Sequence, residues 1–145
     1  MLIPRRLLIA AGPIDGLAPE QVATALARGL LAGGLPEPDV LAIDAGRGDA
    51  EELRELLRAS GFDRRMQAAR AVLVAVARLD ETTLAASPAF EIATRARQAG
   101  VPAYAITAAN GLDAFDARVL DLQLVLEARG SRGLTAAARR LAGVV

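Results

Sequence analysis

The 145-residue chain contains no histidine, cysteine, tryptophan or lysine. Without histidine there is no imidazole base, and the commonest metal ligand is missing. Without cysteine there can be no disulfide, thiolate nucleophile or zinc knuckle. Without lysine there is no P-loop lysine and no Schiff-base chemistry. Any catalysis would therefore depend on carboxylates, hydroxyl groups, arginine side chains and backbone amides.

Charge and hydropathy exclude further classes of function. The 17 basic residues, all arginine, balance 17 acidic ones, and only 3% of residues are aromatic. Nucleic-acid-binding proteins usually need a basic face and often a stacking platform. The longest purely apolar run, 71–77, is far below the roughly 20 residues that span a bilayer, and the run at 7–11 is shorter than a signal-peptide core of roughly 7–15 residues. We therefore expect no nucleic-acid partner, no membrane insertion, a cytoplasmic location and one domain over residues 1–145.

Short apolar runs alternate along the chain with longer amphipathic segments. This alternation, with short connections, predicts an α/β fold: a three-layer α/β/α sandwich, Rossmann-like, with a mostly parallel sheet of about five strands. The predicted strands lie at 7–11, 40–43, 71–77, 101–107 and 119–126. The first predicted helix begins near Pro19, and three further helices are predicted at 50–59, 88–99 and 134–141.

Ligands of open parallel sheets bind outside the carboxyl ends of the strands. Asp15, Asp44 and Asp80 each follow a predicted strand, so they are candidates for this edge. Carboxylates there could hold Mg²⁺ together with water and phosphate oxygens, which makes Asp44 and Asp80 candidate metal ligands. Aspartate after a strand is also common as a helix cap or turn residue, and this alternative is stronger for Asp15.

Three more groups are candidates for binding an anion at this edge. Thr82 and Thr83 precede the third helix, where a hydroxyl and free amides can bind an anion, although an N-cap is the commoner role. Arg78 lies at the end of the third strand. Residues 130–133, Gly-Ser-Arg-Gly, are predicted to form a turn whose amides would suit a carboxylate or phosphate.

Three stretches resemble the two-domain bacterial glycerate kinases. Residues 7–30, LLIAAGPIDGLAPEQVATALARGL, resemble the first strand, loop and helix of that family. Residues 41–53, LAIDAGRGDAEEL, stand where the family has a P-V-A-D-G-G-E-G-T segment. Residues 72–106 are the most specific match, because RLDETTL, a helix and AGVP follow in the family's order and spacing. The resemblance implies a relative of an ATP- and Mg²⁺-dependent kinase that acts on glycerate or a similar hydroxy acid.

Departures from the family pattern predict loss of that activity. The family's first-loop lysine is absent, and its Gly-Glu-Gly before Arg78 is replaced by residues 75–77, Ala-Val-Ala. About twenty residues, 53–70, stand where the family has a second domain. Phosphoryl transfer needs groups that cradle phosphate and neutralise its charge. We therefore expect a truncated, non-catalytic domain that binds a small anionic ligand or a protein partner.

Surface uncovered by a missing domain would also favour a homodimer. Two alternatives remain open. One is an active small-molecule kinase that uses ATP. The other is a receiver-like or flavodoxin-like module, which ranks last because a receiver would need an acidic pair after the first strand and a lysine after the fifth.

Overall fold

Five short apolar runs form a single parallel sheet in the computed structural model, which describes residues 5–43, 50–80 and 87–145. The elements in chain order are β1 (Leu8–Ala11), α1 (Pro19–Ala32), β2 (Asp39–Ala42), α2 (Ala50–Ala59), α3 (Phe62–Ala68), β3 (Val72–Leu79), α4 (Pro88–Ala99), β4 (Ala103–Asn110), α5 (Ala114–Val119), β5 (Leu122–Glu127) and α6 (Gly130–Ala142). The strand order is β2-β1-β3-β4-β5. This is the flavodoxin-like order, and it confirms the predicted α/β fold with an all-parallel five-stranded sheet.

The sheet separates two hydrophobic cores. Ile9 and Ala11 of β1 point to the side covered by α1 and α6, while Leu8 and Ala10 point to the side covered by α2, α3 and α4. All four side chains are fully buried. A strand covered on both faces needs apolar residues at every position, which explains why β1 is a continuous run without polar alternation.

Alanine and glycine allow α1 and α6 to pack very closely. Gly29 of α1 lies directly against the backbone of α6 at Thr135, and Gly33 lies against Ala142. The Thr135 hydroxyl also donates a hydrogen bond of 2.8 Å to the carbonyl oxygen of Ala25. The short side chains at this contact therefore determine how near the two helices can approach.

Several predicted boundaries were wrong, among them the start of the fifth strand, which is at Leu122 because Val119 still belongs to α5. The predicted turn at 130–133 is the first turn of α6, which begins with Gly130 at a left-handed φ of 68°. Strands β3 and β4 continue past their predicted ends at 77 and 107, because they pair with each other up to Leu79 and Asn110. Pairing between neighbours extends both strands beyond the apolar runs that identify them in the sequence.

Arg65 of α3 closes the outer edge of the sheet at β2. Its guanidinium donates to both carboxylate oxygens of Asp39, at 2.7 and 2.9 Å, and to the carbonyl oxygen of Val40 at 2.9 Å. The hydrogen bonds from Arg65 hold the pKa of Asp39 below its usual value, against the opposing effect of burial. An exposed strand edge favours pairing with another chain, so this arginine protects β2.

We expect Asp39→Asn to lower the free energy of unfolding by about 1–2 kcal/mol near neutral pH, since a bidentate charged hydrogen bond is lost. The depressed pKa means that the carboxylate stabilises the fold above its unfolded-state pKa, and that this stabilisation disappears as the pH falls through the lower folded-state pKa. Urea denaturation of both proteins across acidic pH measures the effect. A difference that stays constant down to the most acid pH would contradict this role.

None of the helices in the described ranges is long and apolar enough to cross a membrane.

Candidate functional site

The loop after β1 places Asp15 against the start of α6. Residues 14–17 form a tight hairpin turn closed by an Ile14–Leu17 bridge, with positive φ at both Asp15 and Gly16. Positive φ at both central residues, with an Asp-Gly sequence, is typical of the type I′ turn. The Asp15 carboxylate accepts a hydrogen bond of 3.2 Å from the Gly130 amide.

The Asp15 carboxylate therefore occupies part of the position where the start of α6 would bind an anion. The N-terminus of a helix attracts negative charge because its first amides are free and its dipole is positive there. No side chain caps α6 from its own N-cap position, Arg129. The carboxylate of Asp15, 115 residues away in the chain, supplies the negative charge instead.

Arg78 and Asp80 are brought together at the end of β3. They form an ion pair of 2.9 Å, in which the Arg78 side chain is 69% exposed and that of Asp80 21%. The backbone at Gly111 runs close beside them. Its amide donates a 2.6 Å hydrogen bond to the Leu79 carbonyl oxygen, and a Cβ at this glycine would lie 3.1 Å from the Cβ of Asp80. The pair is therefore held between the ends of β3 and β4.

The carboxyl edge of the sheet is stepped, because β3 and β4 continue beyond β1. The last residue of β1, Ala11, pairs with Ala75, and β3 continues four residues further to Leu79. Four strand residues correspond to roughly 13 Å at about 3.3 Å per residue. Asp15 and Asp80 therefore follow strand ends at different heights, and each has its own partner.

The ends of β4 and β5 and the loop after β4 carry three polar side chains, those of Asn110, Asp113 and Glu127, that accept hydrogen bonds from backbone amides. The Asn110 side-chain oxygen accepts from the Leu112 amide at 3.1 Å, and the Asp113 carboxylate accepts from the Asp116 amide at 2.8 Å as the N-cap of α5. Glu127 accepts a 3.3 Å hydrogen bond from the Asn110 amide. The Asp113 cap follows a local three-residue spacing, whereas the bond of Glu127 crosses 17 residues and has no local signal.

Asp44, Thr82 and Thr83 lie outside the residues that the structure describes, so the predicted Asp44–Asp80 magnesium site stays a prediction. The alternative role of the threonines as N-cap of the third predicted helix is wrong. That helix, α4, begins at Pro88 and is capped by Ser87, whose hydroxyl accepts from the Phe90 amide at 3.1 Å. Serine followed by proline is itself a helix-start signal.

Within the described ranges, no group of three or more acidic, histidine or cysteine residues is placed to hold a metal ion. A cavity of about 420 Å³ is lined by residues of α2 and α3 and by Arg95 of α4. Several of its charged residues form ion pairs: Arg95 contacts Asp63 within the lining and Glu91 beside it, and Arg58 contacts Glu55. These described residues therefore form a surface ion-pair network.

Comparison with known proteins identifies the fold and no family. No protein-family model matches the sequence, and no curated protein matches it. A solved structure from Burkholderia pseudomallei K96243, of a protein described as related to pilus assembly, matches with a TM-score of 0.50 and 23% identity. The match covers 96% of this chain and 90% of that one. At this identity the likeness is one of fold alone.

The resemblance to glycerate kinases is wrong. The solved structure that matches nearly the whole chain is described as pilus-related, and no family model supports a kinase. The resemblance implies that residues 53–70 replace a deleted domain. These residues form most of α2 and all of α3, which connect β2 to β3 along the chain and cover one face of the sheet. Arg78 and Leu79 of the best-matching motif belong to β3 itself. Strand–helix alternation with Gly and Asp at strand ends is shared by many α/β proteins, and it produced the apparent match.

Proposed function

We propose that the chain is a non-catalytic binding domain that acts through contacts with other protein chains, including a second copy of itself, in the cytoplasm. The observation that carries this proposal is the internal use of polar groups in those loops of the carboxyl edge that the structure describes. Asp15, Asn110 and Asp113 each accept a hydrogen bond from a backbone amide. A substrate that contacted these groups would compete with the hydrogen bonds that hold the loops in place.

A protein partner is favoured over a small anion by the position of Asp15. A ligand phosphate or carboxylate at the start of α6 would have to approach a carboxylate that already contacts the Gly130 amide. Like charges at that distance repel, and the helix dipole is already compensated. The structural neighbour is described as related to pilus assembly, and the shared fold alone names no partner for this chain.

Two assays test the proposal on the intact chain. Incubation with ATP, Mg²⁺ and D-glycerate is expected to give no phosphorylated product. Titration with inorganic phosphate is expected to leave the melting temperature unchanged. Product formation that disappears in Asp80→Ala would establish catalysis, and a rise in melting temperature with phosphate would establish the small-anion alternative.

Asp15→Asn tests the structural role of the Asp15 carboxylate. The amide side chain retains an acceptor oxygen and tolerates positive φ, so the hairpin turn is preserved while the charge is removed. We expect the free energy of unfolding to fall by about 0.5–1 kcal/mol, because the compensating charge at the start of α6 is lost. An Asp15→Asn variant as stable as wild type in chemical denaturation would contradict the structural role assigned to this carboxylate.

A further inference from the structure

A second cavity, of about 290 Å³, lies at the amino edge of the sheet, where the parallel strands begin. It is at the opposite end of the strands from the loops that follow β1 and β3. The cavity is lined by residues from the segment before β1, the start of β2, helix α3 and the residue after it: Arg6, Asp39, Arg64, Arg65, Ala68 and Ala69. We call this set the amino-edge cleft. Three of its six residues are arginines, and one is acidic.

Arg65 and Asp39 neutralise each other and form a fixed wall of the cleft. Besides its two bonds to the Asp39 carboxylate, the Arg65 guanidinium donates to the carbonyl oxygens of Val40, at 2.9 Å, and Ser60, at 3.3 Å. These bonds are the main reason for the lowered pKa of Asp39, and the positive charge of nearby Arg6 lowers that pKa further. A ligand of the cleft therefore has to be held by the other two arginines.

Arg6 and Arg64 both have guanidinium groups that are available for binding. Neither guanidinium donates a hydrogen bond or forms an ion pair within the described residues, and both residues are exposed. Their backbones are anchored, because the Arg6 carbonyl oxygen accepts a 3.0 Å hydrogen bond from the Arg70 amide and Arg64 belongs to α3. A guanidinium offers five N–H donors in a planar fork that matches a carboxylate. Two such groups at one cleft form a binding surface for anionic groups.

Neighbouring acidic residues do not cancel the positive charge of the cleft. Asp63, next to Arg64 in the chain, forms an ion pair of 3.0 Å with Arg95. Exposed Glu37, before β2, is offset in number by exposed Arg5, before β1. The lining itself has three positive charges and one negative, a net charge of +2, although the whole chain has a net charge of zero. The excess is therefore local to this edge of the sheet.

We propose that the amino-edge cleft binds an acidic segment of a protein partner, with Arg6 and Arg64 each receiving a carboxylate. The charge of the cleft is complementary to such a segment, and the arginines can bind carboxylates through paired N–H groups. This inference deepens the proposed function, on which it rests, by naming the surface that contacts another chain and the chemistry of the segment that it binds.

The exposure of the two arginines favours a protein segment over a free ion. A single ion pair in water contributes little, because solvent and salt screen it. A peptide carries several carboxylates on one chain, so its second contact forms at a high effective concentration once the first is made. Tight binding of nucleic acid needs many phosphate contacts or stacked bases, and the residues that line the cleft include no aromatic side chain.

Fluorescence anisotropy with a short, labelled oligoglutamate peptide tests the proposal on the intact chain at low ionic strength. We expect the wild-type chain to bind the peptide, and Arg6→Gln/Arg64→Gln to bind it at least about fivefold more weakly, because two exposed ion pairs are lost. Arg129→Gln/Arg132→Gln is the matched control. It removes the same charge from exposed positions at the start of α6, at the carboxyl edge, so its affinity should stay within about twofold of wild type. Circular dichroism confirms that each variant is folded.

Four outcomes would overturn the proposal. They are the absence of peptide binding to the wild-type chain, an equal loss in the two double variants, tighter binding of an oligothymidylate of the same charge, and displacement of the peptide by an equal concentration of inorganic phosphate. The first two would exclude a site at the cleft, the third would indicate nucleic acid, and the fourth a small anion. Missing peptide binding would leave the turnover assay with ATP and D-glycerate unaffected, whereas product formation in that assay would overturn the proposed function itself.

Discussion

Gly29→Ala is expected to destabilise the chain by about 3 kcal/mol or more, which corresponds to a fall in melting temperature of about 10 °C. A Cβ at this position would lie 2.2 Å from the Thr135 carbonyl oxygen, 2.7 Å from the Ala138 Cβ and 2.9 Å from the Arg139 amide nitrogen. Two of these atoms belong to the α6 backbone, so no side-chain rotation relieves the overlap. The helices must move apart, and the core between them loses its close packing. Thermal and urea denaturation measure the loss.

Gly133→Ala is the matched control for that variant. Gly133 is also a helical glycine, but a Cβ there would approach its nearest neighbours at only 3.9 Å, an ordinary contact. Replacing glycine by alanine within a helix stabilises it by about 0.5–1 kcal/mol when space allows. The two substitutions, chemically identical, should therefore shift stability in opposite directions. Equal effects would show that α1 and α6 do not meet at Gly29.

Phe62→Ala should have the second large effect, a loss of about 3–5 kcal/mol in the free energy of unfolding. Phe62 begins α3 and is fully buried in the core beneath α2, α3 and α4. Removing its ring leaves a cavity that the flanking helices can fill only partly, so both burial and packing are lost. Chemical denaturation at a fixed protein concentration gives the difference directly.

Phe115→Ala is the matched control for Phe62→Ala, because the ring of Phe115 lies on the surface of α5. With its ring 67% exposed, Phe115 contributes little to the fold of one copy, so its removal should change the unfolding of the monomer by no more than about 0.5 kcal/mol. A large loss of stability in dilute protein would mean that Phe115 supports the fold of its own domain.

Local sequence signals predicted most of the elements and fewer of their ends. Helices α2 and α4 match the predicted 50–59 and 88–99, since Gly61 follows the first, and Gly100, with a left-handed φ, ends the second. The sequence also indicates a short helical turn at 66–70, and the structure has there a longer helix, α3, which begins earlier, at Phe62. Where a strand ends depends on how far the neighbouring strand pairs with it, and that neighbour can lie far away in the sequence.

The candidate site was only partly predictable, because its contacts cross long stretches of sequence. Asp15 could be recognised as a turn residue from its Asp-Gly context, but its bond to Gly130 spans 115 residues. Arg78 and Asp80 are neighbours in sequence, and their pairing was accessible locally. The extra length of β3 beyond β1, which puts Asp15 and Asp80 after strand ends at different heights, came only from the pairing of the strands.

The amino-acid sequence by itself determined the strand–helix alternation, the parallel sheet and the absence of imidazole, thiol and lysine chemistry, because these depend on residue type and local spacing. Only the tertiary structure decided the strand order, the use of Asp15 at the start of α6 and the outward orientation of Phe115 and Val119. Those features arise from contacts between segments far apart in the chain. Local hydrophobic periodicity shows that a helix has an apolar face, but the surrounding fold decides whether that face is directed towards the core or towards another molecule.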